Sequence, residues 1–348
     1  MGSCHTLAMI PVDLEEEDYS PSDMAPPNVA GEKTLELAVP AAMAGSRLDQ
    51  ALAALLPDYS RSRLTAMIKD GLILLDGEAV QPKTKLLGGE TIDARLRPRE
   101  EETAFVAEDV PLAVIHEDEA IIVIDKPAGL VVHPAAGNWH GTLLNGLLYR
   151  NPQVANLPRA GIVHRLDKDT TGVMVAAKTE AAQLSLVRQL QSRSMSRVYT
   201  ALVRGQVPGA GKVDAPIGRH PRDRTKMAVV NPLIYGEASS GKPAVTHYKV
   251  LERFDWHTLL ECKLETGRTH QIRVHMQSIG FPLECDPVYG PPATAMEAYV
   301  RETFQSFGRQ ALHARKLILD HPFDGKPRTF EAPLPDDMQD LIDFVAEL

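Results

Sequence analysis

Gly161-Ile162-Val163-His164-Arg165-Leu166-Asp167-Lys168-Asp169-Thr170-Thr171-Gly172 is the stretch whose reading decides the fold of this chain. An apolar run leads into it, and a second, Val173-Met174-Val175-Ala176-Ala177, leads out. A short polar stretch between two β-like runs reads as a strand, a tight loop and a strand. The loop displays one carboxylate, Asp167, between the basic residues Arg165 and Lys168. Reactive groups are commonly carried on such loops by a rigid scaffold. Taken alone, the segment reads more readily as a surface ion pair, which contributes little.

Outward from this stretch the pattern from Pro111 on is rich in strands. Strand candidates are Ala120 to Ile124, Gly161 to Val163, Gly172 to Ala177, Val198 to Val203, Val245 to Val250, Leu259 to Leu264 and Leu317 to Leu319. Helix candidates are Thr142 to Tyr149, Glu180 to Arg193, Arg268 to Ile279 and Asp336 to Ala346. Strands and helices mix without regular βαβ alternation, which points to α+β with a mixed, largely antiparallel sheet. Neither a G-x-G-x-x-G fingerprint nor a G-K-[ST] phosphate loop is present.

Residues 34–98 read as a small separate module. Ser46 is placed to cap a helix with Leu48, Ala51, Leu52, Leu55 and Leu56 on its apolar face. Ser60 or Ser62 is placed to cap a second, with Leu64, Met67 and Ile68 inward and Gly71 as its stop. Leu72 to Leu75 reads as a strand, Asp76-Gly77 as a hairpin turn, and Thr91 to Leu96 as a further strand after Gly88-Gly89. Arg61, Arg63 and Lys69 fall outside the apolar set of the second helix and form a basic face. Upstream, residues 1–33 are rich in Pro, Asp, Glu and Ser and read as a disordered acidic tail; residues 99–110 read as a charged linker.

A chain of 348 residues calls for at least two domains. No run approaches the roughly 20 apolar residues of a membrane span, and the N-terminus lacks the pattern of a signal peptide. Three cysteines (Cys4, Cys262, Cys285) make neither a disulfide framework nor a paired metal motif, which suits a reducing cytoplasm. The net charge of −9 argues against a nucleic-acid partner, but its distribution reverses that. Residues 150–226 hold fourteen Lys and Arg against five Asp and Glu, a surplus of nine positive charges. A local positive field steers a polyanion despite a negative total.

The motif His164-Arg165-Leu166-Asp167 resembles the HRLD signature of the RluA-type pseudouridine synthases. Further stretches resemble that family in the same order: Asp125-Lys126-Pro127-Ala128-Gly129, Arg197-Val198-Tyr199-Thr200-Ala201-Leu202-Val203, Gly241-Lys242-Pro243-Ala244-Val245-Thr246, and Glu265-Thr266-Gly267-Arg268-Thr269-His270-Gln271-Ile272-Arg273-Val274-His275. Arg47-Leu48-Asp49 and Ser60-Arg61-Ser62-Arg63-Leu64 resemble the S4 RNA-binding module. The resemblance covers residues from about 45 to 348 and implies a small α/β S4 domain followed by a catalytic domain over 111–348. It implies isomerisation of uridine to pseudouridine in RNA, with no cofactor, no metal and no membrane. Tyr59 to Arg63, Arg219-His220-Pro221, Gln310 to Ala314 and Pro333 to Met338 resemble the branch acting on a stem-loop of large-subunit ribosomal RNA. A cytoplasmic monomer is expected. The rivals are a member acting on transfer RNA or another ribosomal site, and a catalytically silent ribosome-assembly factor.

By resemblance Asp167 is the nucleophile. Attack on the base, attack on the sugar carbon and removal of a ribose proton all stay open as routes. Burial raises a carboxyl pKa by up to about 3–5 from about 3.9, and a nearby cation lowers it by about 1–3, so such chemistry needs a fixed positive partner. The resemblance supplies Arg273 for that part, Tyr199 to pack against the flipped uracil, and Arg165 to fill the vacated stack. Arg61, Arg63 and Lys69 are the S4 contacts. His164, His270, His313 and His321 read as structural donors, since no H-E-x-x-H or cysteine pair is present. The chain departs from the family at Phe281 and at Leu283-Glu284-Cys285, before Asp286-Pro287-Val288-Tyr289-Gly290.

Overall fold

Alternating and continuous apolar runs fold here into two separate units, one ending at Val106 and the other resuming at Ala107. The computed structural model describes residues 33–96, 104–135, 137–230, 241–290 and 298–348. Residues 1–32 of the expected acidic tail and 99–103 of the expected linker lie outside the described residues, while Lys33, assigned to the tail, opens a strand.

The first unit runs β1 (Lys33–Ala38), α1 (Leu48–Leu55), α2 (Arg61–Lys69), β2 (Ile73–Leu75), β3 (Glu78–Ala79) and β4 (Thr91–Leu96). Its antiparallel sheet has the order β1-β4-β2-β3. Leu48, Leu52, Leu64 and Ile68 of the helices bury against Ile73 and Ile92 of the sheet. Ser60 caps α2, its hydroxyl accepting the Arg63 N–H, and Gly71 follows in the left-handed conformation that ends a helix (φ +69°). Asp76 and Gly77, both at positive φ, make the β2–β3 turn. Ser46, expected to cap α1, does not: Arg47 holds that position without a side-chain cap. Arg47 instead forks onto Asp49, and Arg61 donates to the same carboxylate. Burial would raise the pKa of Asp49, but bonds from both arginines outweigh it and hold the carboxyl below the usual range. Lys69 is exposed, and the Arg63 guanidinium lies 4.7 Å from the centre of the Tyr59 ring.

The second unit runs β5 (Ala113–Glu117), β6 (Ile121–Lys126), α3 (Leu143–Arg150), β7 (Thr171–Ala177), α4 (Glu180–Gln191), β8 (Ser196–Arg204), β9 (Gly211–Asp214), β10 (Ile217–Arg219) and β11 (Met227–Val229). It continues with β12 (Val245–Arg253), β13 (His257–Leu264), α5 (Gln271–Ser278), α6 (Ala298–Phe307), β14 (Leu312–Asp320), β15 (Pro327–Glu331) and α7 (Asp336–Ala346). The main sheet has the order β5-β6-β7-β14-β8-β13-β12-β9, with β15 alongside β14. Among the described residues only β14 and β7 pair in parallel; β10 and β11 form a separate hairpin. Every residue of β7 is buried, as a strand covered on both faces requires.

Gly161 to Val163 is not a strand. Arg159, Ala160 and Gly161 are left-handed in succession (φ 54°, 51° and 80°), so the chain turns into the motif, and Ile162 makes a single bridge to Ala176. A short buried apolar run has the same composition whether it is strand or turn.

Gly172 sits where β7 meets β14. A Cβ there would stand 2.2 Å from the Ala314 carbonyl oxygen, at a φ of +112° that side chains rarely adopt. Gly172→Ala is expected to cost about 2–5 kcal/mol through strain and forced separation of the strands. Tm should fall by about 5–15 °C, and a melt matching the parent would show that the strands separate freely.

Asp118 closes the β5–β6 turn. Its Oδ1 accepts the N–H of Ala120 (2.8 Å) and Ile121 (2.9 Å), and its Oδ2 faces Nε2 of His116 (2.9 Å) and His321 (2.8 Å). Burial would raise its pKa, but these bonds prevail and hold it far below the usual carboxylate range. A carboxyl lowered on folding stabilises the fold above its unfolded pKa of about 3.9, and that contribution is lost as pH falls further. Tm should therefore decline below about pH 4, and less steeply in Asp118→Asn. The same acid slope in both proteins would remove Asp118 from the account.

Candidate active site

Burial alternates along the central motif: His164 and Leu166 are buried, Arg165 is exposed and Asp167 is half-buried. The loop is held from two sides. Lys126, fully buried, donates from Nζ to the carbonyls of Pro127, Leu130 and Lys168, three acceptors for the three protons of an ammonium. Burial pulls its pKa down to about 7, against the opposing pull of Asp169 and Asp167. On the β14 side, Gln310 donates to the Thr170 hydroxyl, and the Thr171 hydroxyl bonds His313 Nδ1.

Arg273 of α5 reaches Asp167 across this frame. Its NH1 donates to Asp167 Oδ2 at 2.9 Å. Its Nε and NH2 fork onto Asp286 at 2.7 and 2.9 Å. The Asp286 side chain is 0% exposed, and its Oδ1 also accepts the N–H groups of Val288 and Tyr289. Burial alone would lower the Arg273 pKa, but the two carboxylates reverse the shift and keep the guanidinium charged. Burial likewise opposes ionisation of Asp286, and its bonds from Arg273 prevail. The start of α5 is fixed by Gln271, which accepts from Thr266 and Arg268 and donates to Val245 and Thr246. Arg268 to His270, inside the helix candidate Arg268 to Ile279, precede the helix.

A narrow cleft of about 50 Å³ brings together Arg165, Asp167, Arg197, Tyr199, His270 and Arg273. A roomier hollow of about 290 Å³, lined by His220, Lys226, Met227 and Tyr289 among others, has no carboxylate in its lining; of the two, the cleft is the one that holds an aspartate. Tyr199 is buried on β8. The structure thus gathers Asp167, Tyr199, Arg273 and Arg165 at one place; Arg61, Arg63 and Lys69 belong to the other unit.

Two side chains at the site, Asp286 and Arg197, have no role in the sequence reading, and a third, His270, reads there as a structural donor. Asp286 orients Arg273 and opens the stretch Asp286-Pro287-Val288-Tyr289-Gly290. Arg197 lies two residues before Tyr199 and so on the same strand face. His270 has left-handed backbone (φ 56°) and holds Nε2 at 4.0 Å from Asp167 Oδ1. Its Nδ1 bonds the Tyr289 hydroxyl, which accepts the Met227 N–H. Burial holds His270 below the ordinary histidine range, against the pull of Asp167.

His164, His313 and His321 serve the frame. His164 is an acceptor, not a donor: its Nε2 receives the Val175 N–H. Burial, with the nearby Arg197 charge, pulls its pKa down to about 3. Among the described residues, one group has three potential metal-ligating atoms converging within 4.8 Å: His116, Asp118 and His321. Hydrogen bonding occupies it. His321 Nδ1 accepts the Phe323 N–H, so its proton sits on Nε2, facing Asp118. At the departures, Glu284 is buried between Arg204 and His257, and Cys285 adopts φ +58°. Neither they nor Phe281 line the cleft.

A mixed sheet thus presents an aspartate, an arginine and a tyrosine in one cleft, and a four-stranded module precedes it in the sequence. Residues 120–278 match the family described as RNA pseudouridylate synthase, and residues 46–92 match the S4 domain. The chain belongs to the RNA pseudouridylate synthase family. It is 55% identical over 329 residues to the ribosomal large subunit pseudouridine synthase D of Neisseria meningitidis serogroup B, covering 94% of this chain and 86% of that one. The protein of the same name from Nitrosomonas europaea is 53% identical over 343 residues, 96% of each chain. Among solved structures, human RNA pseudouridylate synthase domain containing 4 superposes with a TM-score of 0.52 at 27% identity, over 67% of this chain and 92% of that one.

Proposed function

We propose that this protein isomerises specific uridines to pseudouridine in a stem-loop of large-subunit ribosomal RNA. The observation that carries this is the 2.9 Å pair between Asp167 and Arg273 in a cleft shared with Tyr199. Relatives named for that substrate, 53–55% identical over most of the chain, support the choice of RNA.

The N-glycosidic bond breaks, the uracil turns, and a bond forms between its C5 and the ribose. Asp167 is the nucleophile that starts this. Arg273 supplies the fixed positive charge beside it. Tyr199 packs against the uracil and assists removal of the C5 proton. Extruding the uridine costs a few kcal/mol, and Arg165 fills the place it leaves. Arg61, Arg63 and Lys69 of the S4 unit contact RNA. The protein acts as a cytoplasmic monomer without a cofactor. No helix among the described residues is long and apolar enough to cross a membrane.

Mapping pseudouridine across all RNA with and without this gene is the test. Loss of sites in large-subunit ribosomal RNA is expected. Loss confined to transfer RNA would favour the alternative substrate, and an unchanged map would overturn the activity.

A further inference from the structure

Three arginines among the described residues are buried in the second unit: Arg197, Arg273 and Arg309. Arg273 forks onto Asp286 and reaches Asp167, and Arg309 forks onto Asp337. Arg197 has no such partner. It is 7% exposed, its Nε is sealed without a hydrogen bond, and no ion pair among the described residues engages its guanidinium. It nevertheless lines the cleft with Asp167, on the strand face that carries Tyr199.

A buried charge without a partner is costly, and proteins rarely keep one. The cost is offset once an anion arrives. A guanidinium fork matches the oxygens of a phosphate, and the anion that RNA brings to the cleft is its phosphodiester. The backbone is shaped for this group: a Cβ on Gly267 would stand 2.4 Å from Arg197 NH1. The guanidinium therefore lies against a bare glycine, and any side chain there would push it from its seat. We propose that Arg197 binds a backbone phosphate of the nucleotide flipped into the cleft, a role that rests on the function proposed above.

The test uses the full-length protein, a transcript of large-subunit ribosomal RNA and the Arg197→Met variant. Affinity should fall about 10- to 100-fold, as for loss of a charged hydrogen bond. The slope of log affinity against log salt should shrink by about 0.7, the value of one single-strand phosphate contact. Tm of the free variant should hold or rise, since an unpaired buried charge has been removed. Inorganic phosphate should raise Tm more in the parent than in the variant. Affinity within about twofold of the parent with an unchanged salt slope would overturn the proposal. So would a fall in Tm with the slope intact, because the guanidinium would then be supporting the fold. Should Arg197→Met not fold, Gly267→Ala carries the same test: a smaller salt slope supports the seat, and parental binding overturns it. A parent that makes no pseudouridine would sink the proposed function, while the phosphate melts would still decide Arg197.

Discussion

Asp167→Asn is expected to fold and bind RNA like the parent and to form no pseudouridine. The substitution keeps the shape of the side chain and leaves an amide oxygen to accept from Arg273 NH1, so the 2.9 Å contact survives. Arg273 still has Asp286 as its main partner through two bonds, so no buried charge is stranded. What disappears is the anion that, in the proposed function, starts the reaction. Loss of a nucleophile typically lowers turnover by about 10⁴-fold or more. Single-turnover assays on a ribosomal RNA transcript would show it, alongside Kd and Tm. Turnover within about tenfold of the parent would remove Asp167 from the chemistry. Normal binding with no turnover separates this enzyme from a silent assembly factor, in which Asp167 variants would complement fully.

Arg273→Met should damage both activity and stability. Asp286 would be left fully buried, its carboxylate facing no cation. Breaking a buried pair in this way costs about 3–5 kcal/mol, far more than a surface pair. The pH dependence changes sign with it. In the parent, Asp286 is held below its ordinary pKa, so its contribution exists above about pH 4 and fades in acid. In the variant the bonds and charge of Arg273 are gone, burial is opposed only by the N–H groups of Val288 and Tyr289, and the folded pKa rises. The carboxyl then destabilises at neutral pH, and the variant recovers relative to the parent as pH falls. Adding Asp286→Leu should return much of the stability and none of the activity. An Arg273→Met protein that melts like the parent at pH 7 would show that Asp286 finds another partner.

Much of the frame was legible because it is written locally. Asp76-Gly77, Ser60 and Gly71 act through their own backbone, and they stand where the sequence puts them. The continuous apolar runs of β6 and β7 read as buried strands because both their faces are covered. The edge elements β5, β9 and β15 and the hairpin β10–β11 carry short, half-exposed patterns and were not singled out. The left-handed turn at Arg159 to Gly161 was invisible, since nothing in two non-glycine residues announces positive φ. Ser46 fails as a cap because the helix begins at Leu48, which puts Arg47 in the cap position and Ser46 one residue before it.

The order of motifs along the chain was enough to pick out Asp167, Tyr199, Arg273 and Arg165, and to separate a small basic module from a larger mixed sheet. Whether those side chains meet was beyond it. Asp167 and Arg273 are 106 positions apart, and a contact of 2.9 Å between them depends on how β7, β8 and α5 are set around β14. The same packing shares Arg273 between two carboxylates and leaves Arg197 with none. Ion pairing is fixed by distances of a few ångströms in a dry interior, and spacing along a chain does not encode those distances.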